Sequence, residues 1–404
     1  MGKTREVYIV GAKRSAIGRF TGSFKDLPAS EMLAQVIVSV LEEGRIDPEL
    51  VEEVIVGTIL SAGQKMGPAR QASIFAGIAN SVPAWAVNML CGSGMKSIMT
   101  AADEIRLGRV DICVAGGMEN MSRAPYLLPA GARTGTDLGS VEMRDHIIED
   151  GLMDVFNGYH MGVTAENIAR MYHLTREEQD AFALESQRRT AIAVDEGYFS
   201  DEICPVKVPG HKGTVTVTRD EHPRPDTTPE ELARLQPAFD RDGTVTAGNA
   251  SGINDGASAV VLASGEAVDR HGLTPRARIA DYDQAGVDPA YMGMGPVPAI
   301  ERALKRAGTA FSEMDLIELN EAFAAQSLGV VRELACIHGE SETSILARTN
   351  VNGGAIALWH PIGASGNRIV VTLLHEMERR GVSRGLASLC IGGGMGTAMI
   401  LERL

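Results

Sequence analysis

The chain alternates short apolar runs with longer stretches of helical period, and it does so twice in the same order. EVYIV, EEVIVG, DICVAGG, DLIELN and ASLCIGGG have the length and near-continuous apolar character of buried strands, while ASEMLAQVIVSVLEEG and IVVTLLHEMERRG carry apolar residues every third or fourth position. Strands alternating with helices predict an α/β architecture. VSVLEEGRIDPELVEEVIVG, residues 38–57, leads into CGSGMKSIMTAADEIRLGRVDICVAGGME; near the other end, IERALKRAGTAFSEMDLIELNE leads into HPIGASGNRIVVTLLHEMERRGVSRGLASLCIGGGMG. Each half reads helix, turn, strand, then glycine-rich turn, helix, and strand ending in a glycine cluster. Two generic βαβ units would give a loose version of the same pattern. If the halves are alike and pack about a pseudo-twofold, the turn after Met89 and Leu90 and the turn at His360 occupy corresponding places. Both following helices would then point their partly positive N-termini at one site.

A chain of 404 residues, 44% hydrophobic, can bury a core large enough for two or three domains. The middle, from about residue 121 to 270, differs: ENMSRAPYLLPAGARTGTDLGS and VPGHKGTVTVTRDEHPRPDTTPEE carry the proline, glycine and charge of loops. Within it HMGVTAENIARMYHLTREEQDAFALESQRRTAIA has helical period, so an ordered covering domain is expected. A formal charge of −14 argues against a general nucleic-acid binder. An anionic small ligand would have to be held locally by helix N-termini and a few basic side chains. No apolar stretch has membrane-spanning length, and the opening MGKTREVYIV runs directly into an apolar strand without a signal-peptide core, which predicts a cytoplasmic protein. The odd number of cysteines, Cys91, Cys113, Cys204, Cys336 and Cys390, lacks CxxC spacing and predicts neither a disulfide framework nor a zinc site.

Chemistry concentrates in three glycine-rich turns: Cys91 in NMLCGSGMKS, Cys390 in SLCIGGGMG and His360 in NGGAIALWHPIGASGNR. A glycine-flanked cysteine is by itself an ordinary small core residue. Two of them with a histidine suggest carbon–carbon bond chemistry on thioesters. One thiol suffices for acyl transfer once it can ionise; a second suggests a separate proton transfer to or from carbon. Cys113 and Cys204 lie in apolar strand-like runs and read as structural. No metal-binding constellation stands out among the nine histidines, and no cofactor is expected.

NMLCGSGMKS, HMGVTAENIA, GTVTAGNASGINDGA, LNEAFAAQ, NVNGGAIAL-HPIGASG and CIGGGMG together resemble the thiolase family, in particular the acetyl-CoA acetyltransferase type, over essentially the whole chain. The resemblance implies two similar βαβαβαββ halves related by a pseudo-twofold, with a loop domain inserted in the first. That divides the chain into 1–120, an insert at 121–250, and 251–404, of which about 251–272 completes the first half. It implies condensation of two acetyl-CoA to acetoacetyl-CoA plus CoA, and the reverse thiolysis. Cys91 would be the acylated nucleophile, His360 the base for its proton, and Cys390 the acid/base for the second half-reaction. One oxyanion hole would use His360 and a water held by Asn320; the other would use the backbone N–H groups of Cys91 and Gly392. His160 and Met161 would line the acyl pocket, and Ser251 and Arg224 would meet the pantetheine and nucleotide ends of coenzyme A. A homotetramer built from tight dimers is implied, with the loop YLLPAGARTGTDLGS cross-linking them.

The family pattern has glycine before the catalytic histidine, where this chain has Trp359. A glycine there gives a left-handed backbone or room for close approach, and tryptophan gives neither. The indole would displace His360, narrow the acyl pocket or block the pantetheine tunnel, unless it packs away into a neighbouring void. The alternative function is therefore a thiolase-like CoA-binding protein with impaired or altered acyl specificity. Asn367 replaces a smaller residue, a milder change, and RELACIHGESETSILART reads as a surface excursion carrying Cys336. A ketoacyl synthase would carry a second histidine where Cys390 stands, and no GxGxxG follows the first strand, which disfavours dinucleotide binding.

Overall fold

The computed structural model describes residues 5–136, 138–210 and 213–404. Its centre is a ten-stranded sheet. The principal strands are β1 (Val7–Arg14), β2 (Glu53–Gly57), β3 (Ala84–Val87), β4 (Ile112–Asn120), β5 (Asn254–Ser264), β6 (Ala277–Gly286), β7 (Leu316–Leu319), β8 (Arg384–Ile391) and β9 (Met395–Arg403). They run in the order β7-β8-β9-β6-β1-β5-β4-β2-β3, and the two-residue strand Gly18–Arg19 pairs with β5.

The repeat is a repeat of topology. In the first half β1 pairs antiparallel with β5, β5 antiparallel with β4, and β4 parallel with β2. In the second, β6 pairs antiparallel with β9, β9 antiparallel with β8, and β8 parallel with β7. The halves meet where β1 pairs with β6 through Tyr8 and Ile9.

The main helices are α1 (Ala29–Gly44), α2 (Ser93–Arg106), α3 (Met161–Met171), α4 (Arg176–Asp195), α5 (Pro296–Ala307), α6 (Ala324–His338), α7 (Glu342–Ala347) and α8 (Ile362–Arg380). Because strand side chains alternate faces, each strand serves two cores. Val54, Val56, Val114 and Val261 pack with α1, whereas Ile55, Ala115, Val260 and Leu262 pack with α2 and α8. Ala387, Leu389, Met399 and Leu401 from the second half join that same α2/α8 core, while Leu386, Ala398 and Ile400 face α5 and α6. Every residue of β4 and β5 is buried, which explains the unbroken apolar runs there.

One local reading changes and a second gains detail. VPGHKGTVTV carries loop signals, yet Val206–Gly210 and Gly213–Val217 pair as an antiparallel hairpin, since alternating threonine and valine favour strand. RELACIHGESETSILART is the end of α6 and all of α7, helices separated by a left-handed C-cap at Gly339. Cys336 is exposed there.

Candidate active site

The first glycine turn follows β3. Leu90 takes φ 48°, placing Cys91 just outside the N-terminus of α2. Ser93 closes the turn: its Oγ accepts from the Met89 N–H at 2.8 Å and donates to the Leu90 carbonyl at 2.6 Å. Next to it, Gly94 lets α2 approach α8. A Cβ at Gly94 would lie 2.7 Å from the Asn367 nitrogen and 2.9 Å from the Gly363 carbonyl oxygen.

The second turn precedes α8. A short helix, Ala355–Leu358, stops at Trp359, whose φ 72° and ψ −176° fall in a region that glycine occupies and side-chain-bearing residues avoid. His360 follows, buried, its main-chain N–H donating to Asn254 Oδ1 at 3.1 Å and its Nδ1 lying 2.5 Å from Ser365 Oγ. The buried carboxylate of Glu119 anchors this region, accepting from the backbone N–H groups of Ile59, Leu60 and Gly363 at 3.1–3.2 Å.

The third turn ends β8, where Cys390 is buried and Gly392 leads into the left-handed pair Gly393 and Gly394.

Cys91, His360, Cys390, Gly392, His160, Met161 and Ser251 all open on one largely apolar cavity of about 460 Å³. His160 also caps α3, accepting from the Gly162 N–H at 3.0 Å, and its ring stacks on Phe239 at 4.6 Å. Phe239 meets Phe323 edge-on, with centroids 6.2 Å apart. Neither phenylalanine stood out in the sequence as a site residue, although Phe323 sits inside LNEAFAAQ. Asn320 is not on this cavity wall. It is fully buried just past β7, its backbone N–H donating to the Ser388 carbonyl at 3.0 Å. Two buried nitrogens, Asn320 Nδ2 and His360 Nε2, lack any protein hydrogen-bond partner.

Arg224 lies in an adjacent groove of about 870 Å³, its backbone N–H held by Gln187 Oε1 at 2.9 Å. Trp359 and Ala247 border both spaces. The indole is wedged against the His222 ring, with centroids 3.0 Å apart, and against Gly252, where a Cβ would fall 2.4 Å from it. It therefore stands between cavity and groove, and His360 keeps its contacts with Ser365 and Asn254.

Electrostatics leave Cys91, Cys390 and His360 neutral at rest. Burial pushes the Cys91 thiol up to about 11, opposed by hydrogen bonds from the backbone N–H groups of Gly392 and of Cys91 itself, with the Glu119 charge pushing it further up. Burial, then the neighbouring Cys91 charge, raises Cys390 further. Burial, then the Arg368 guanidinium, lowers His360 to about 3. An uncharged imidazole that shares a cavity with uncharged thiols can accept a proton, and backbone amides there can receive developing negative charge. Among the described residues no group of three His, Cys, Asp or Glu side chains is placed to hold a metal ion.

Residues 7–266 match the thiolase N-terminal domain and residues 273–403 the thiolase C-terminal domain. The chain is 55% identical to an acetyl-CoA acetyltransferase of Pseudomonas aeruginosa, with 99% of this chain and 100% of that protein aligned. A crystal structure of the Bacillus anthracis acetyl-CoA acetyltransferase superposes with a TM-score of 0.95 at 44% identity, covering 99% of each chain. Human mitochondrial 3-ketoacyl-CoA thiolase in complex with CoA gives 0.93 at 44% identity, covering 99% of this chain and 98% of that one. With both domains matched in order around a cavity that joins the two halves, the chain belongs to the thiolase family.

Proposed function

We propose that this protein is an acetyl-CoA C-acetyltransferase, condensing two acetyl-CoA to acetoacetyl-CoA and free CoA and running the reverse thiolysis. The observation that carries the reading is that Cys91, His360 and Cys390 share one cavity, with Gly392 on its wall.

In the first half-reaction the Cys91 S–H proton passes to His360 Nε2 as the sulfur attacks the thioester carbon. The carbon–sulfur bond to CoA then breaks, and the departing CoA thiolate takes the proton of Cys390. Because burial keeps Cys390 protonated at rest, this transfer is what arms it: the resulting thiolate is a strong base in an apolar cavity. In the second half-reaction that thiolate removes a proton from the methyl of another acetyl-CoA. The enolate carbon attacks acyl-Cys91, the Cys91 sulfur leaves, and it recovers its proton from His360. Charge on the acyl-Cys91 oxygen would fall to the amides of Cys91 and Gly392. Charge on the CoA thioester oxygen would fall to His360 Nε2 and a water held by Asn320. Losing one such donor typically costs about 10²–10³-fold.

His160, Met161 and Phe239 would enclose the acyl and pantetheine end near Ser251, with Arg224 in the adjoining groove meeting the anionic nucleotide end. Acetyl-CoA, acetoacetyl-CoA and CoA are thus substrates, and no step calls on a further cofactor. A homotetramer of paired dimers and a cytoplasmic setting complete the reading; no helix among the described residues is long and apolar enough to cross a membrane. The three-part division at 1–120, 121–250 and 251–404 belongs to the same proposal. Nothing in the geometry favours a CoA-binding shell without turnover, since the His360 contacts beside Trp359 are intact.

The test is thiolysis of acetoacetyl-CoA by CoA, read by loss of the 3-keto thioester. Saturable turnover giving acetyl-CoA supports the assignment; binding of CoA without turnover overturns it.

A further inference from the structure

His360 and Asn320 can each face a substrate in two chemical senses, and the wrong sense is useless. A neutral imidazole carries its hydrogen on one nitrogen only, and a primary amide offers an acceptor on one side and a donor on the other. Two side chains one turn apart on α8 decide between these senses. Ser365, fully buried, lies 2.5 Å from His360 Nδ1 and 3.0 Å from the Pro361 carbonyl oxygen. The hydroxyl has one hydrogen, and a carbonyl can only accept. Both contacts are made at once only if Ser365 Oγ–H donates to Pro361 and His360 Nδ1–H donates to Ser365 Oγ. That leaves Nε2, the buried nitrogen without a partner, as the bare lone pair.

Arg368, also buried, directs Nη2 at Asn320 Oδ1 from 3.5 Å, and its Nη1 lies 3.6 Å from the buried Glu318 carboxylate. A guanidinium has no acceptor, so the amide must present its oxygen to Arg368. Asn320 Nδ2, the donor, is then the atom left without a partner.

We propose that Ser365 and Arg368 are positioning residues that fix the proton-accepting sense of His360 Nε2 and the donating sense of Asn320 Nδ2. The proposal rests on the roles assigned above to His360 and Asn320. The first two turns of α8 thereby set both polar partners through one rigid element, although Asn320 follows β7 and lies 48 residues away from Arg368 in sequence.

The two arms separate by reaction. Alkylation of Cys91 by iodoacetamide needs the proton acceptor and forms no oxyanion; thiolysis of acetoacetyl-CoA needs both. With alkylation read on the Cys91 peptide at pH 7.5, Ser365→Ala slows alkylation and thiolysis kcat each by about tenfold or more, with KM for CoA unchanged. In His360→Ala the added Ser365→Ala change costs nothing further. Arg368→Met removes a charge that holds His360 down, so it does not slow alkylation, but it lowers kcat by about 10²-fold and adds nothing in Asn320→Ala. Should Arg368→Met fail to fold, Glu318→Gln/Arg368→Met removes both buried charges and serves instead. Effects that add to those of His360→Ala or Asn320→Ala, or equal slowing of alkylation by both arms, overturn the proposal. Normal alkylation in His360→Ala overturns the base assignment and this proposal together; slow alkylation there with normal alkylation in Ser365→Ala overturns this proposal alone.

Discussion

The turns before α2 and α8 are counterparts in the two halves, and they solve the same geometric problem with different materials. In each, a non-glycine residue in the left-handed region, Leu90 at φ 48° or Trp359 at φ 72°, immediately precedes the reactive residue, and a helix follows. The first turn leaves Cys91 half-buried, with two backbone amides at its sulfur. The second buries His360 and ties both its main-chain N–H and its ring Nδ1. In the proposed roles, Cys91 as nucleophile has to reach a carbonyl carbon and then carry an acyl group, which donors that act when charge appears would serve. His360 as base would have only to hold one lone pair in place, which a ring fixed in advance would serve.

If the first turn is the nucleophilic one, Cys91→Ala lowers kcat for thiolysis by at least about 10⁴-fold and abolishes acyl adducts, while the parent fold and CoA binding remain. Residual turnover within about tenfold of the parent would move the chemistry elsewhere.

His360→Ala is expected to cost about 10²–10⁴-fold, and its pH dependence sharpens the contrast. In the parent, Cys91 near 11 and His360 near 3 bracket the working range, so proton transfer inside the pair keeps Cys91 alkylation flat between about pH 8 and 10. This range lies above Glu119, which burial pushes up to about 7. Without the imidazole the proton must go to solvent, and the rate should rise about tenfold per pH unit with the thiolate fraction. A rising profile in the parent would mean that His360 does not take the proton.

Gly94→Ala strikes the contact between the turns. The new Cβ meets backbone of Asn367 and Gly363, so α2 and α8 must part. Thermal or denaturant unfolding should show a loss of about 1–3 kcal/mol, and displacement of about 1 Å between Cys91 and His360 should lower kcat on the order of 10²-fold. Unchanged stability would show that the helices do not need this closeness.

Trp359→Gly should have the smallest effect on chemistry. The His360 contacts run through its own N–H and ring to Asn254 and Ser365, so kcat is expected within about threefold of the parent. Because the indole stands between the reaction cavity and the Arg224 groove, KM for CoA should change more than kcat. A large change in kcat at constant KM would show that the indole itself holds the His360 ring in place.

What the sequence conveyed follows from the range over which each signal acts. Cys91, His360 and Cys390 were legible because glycine-rich turns before helices and after strands are local patterns, and the repeat predicted that two of those turns would meet. Trp359 was legible as a misfit, but whether its indole fell on His360 or beside it depended on His222 and Gly252, which are remote in sequence. Ser365 was unreadable because a serine on the first turn of a helix is common; only its 2.5 Å approach to Nδ1 gives it meaning. Arg368 was harder still, since a buried guanidinium looks like any helix charge until Glu318 and Asn320 are brought to it by β7. RELACIHGESETSILART is legible as a surface excursion, with Cys336 exposed, but its helices are not, because Gly339 and its polar neighbours break the period between the end of α6 and the six-residue α7.

The most direct test of the division of labour is the fate of acetyl groups on Cys390→Ala, followed by mass spectrometry of the Cys91 peptide after mixing with acetyl-CoA. An acetyl adduct on Cys91 that free CoA removes, without formation of acetoacetyl-CoA, is the predicted result. Absence of any adduct on Cys91, or condensation at the parent rate, would contradict the assignment of the nucleophile to Cys91 and of proton removal from carbon to Cys390.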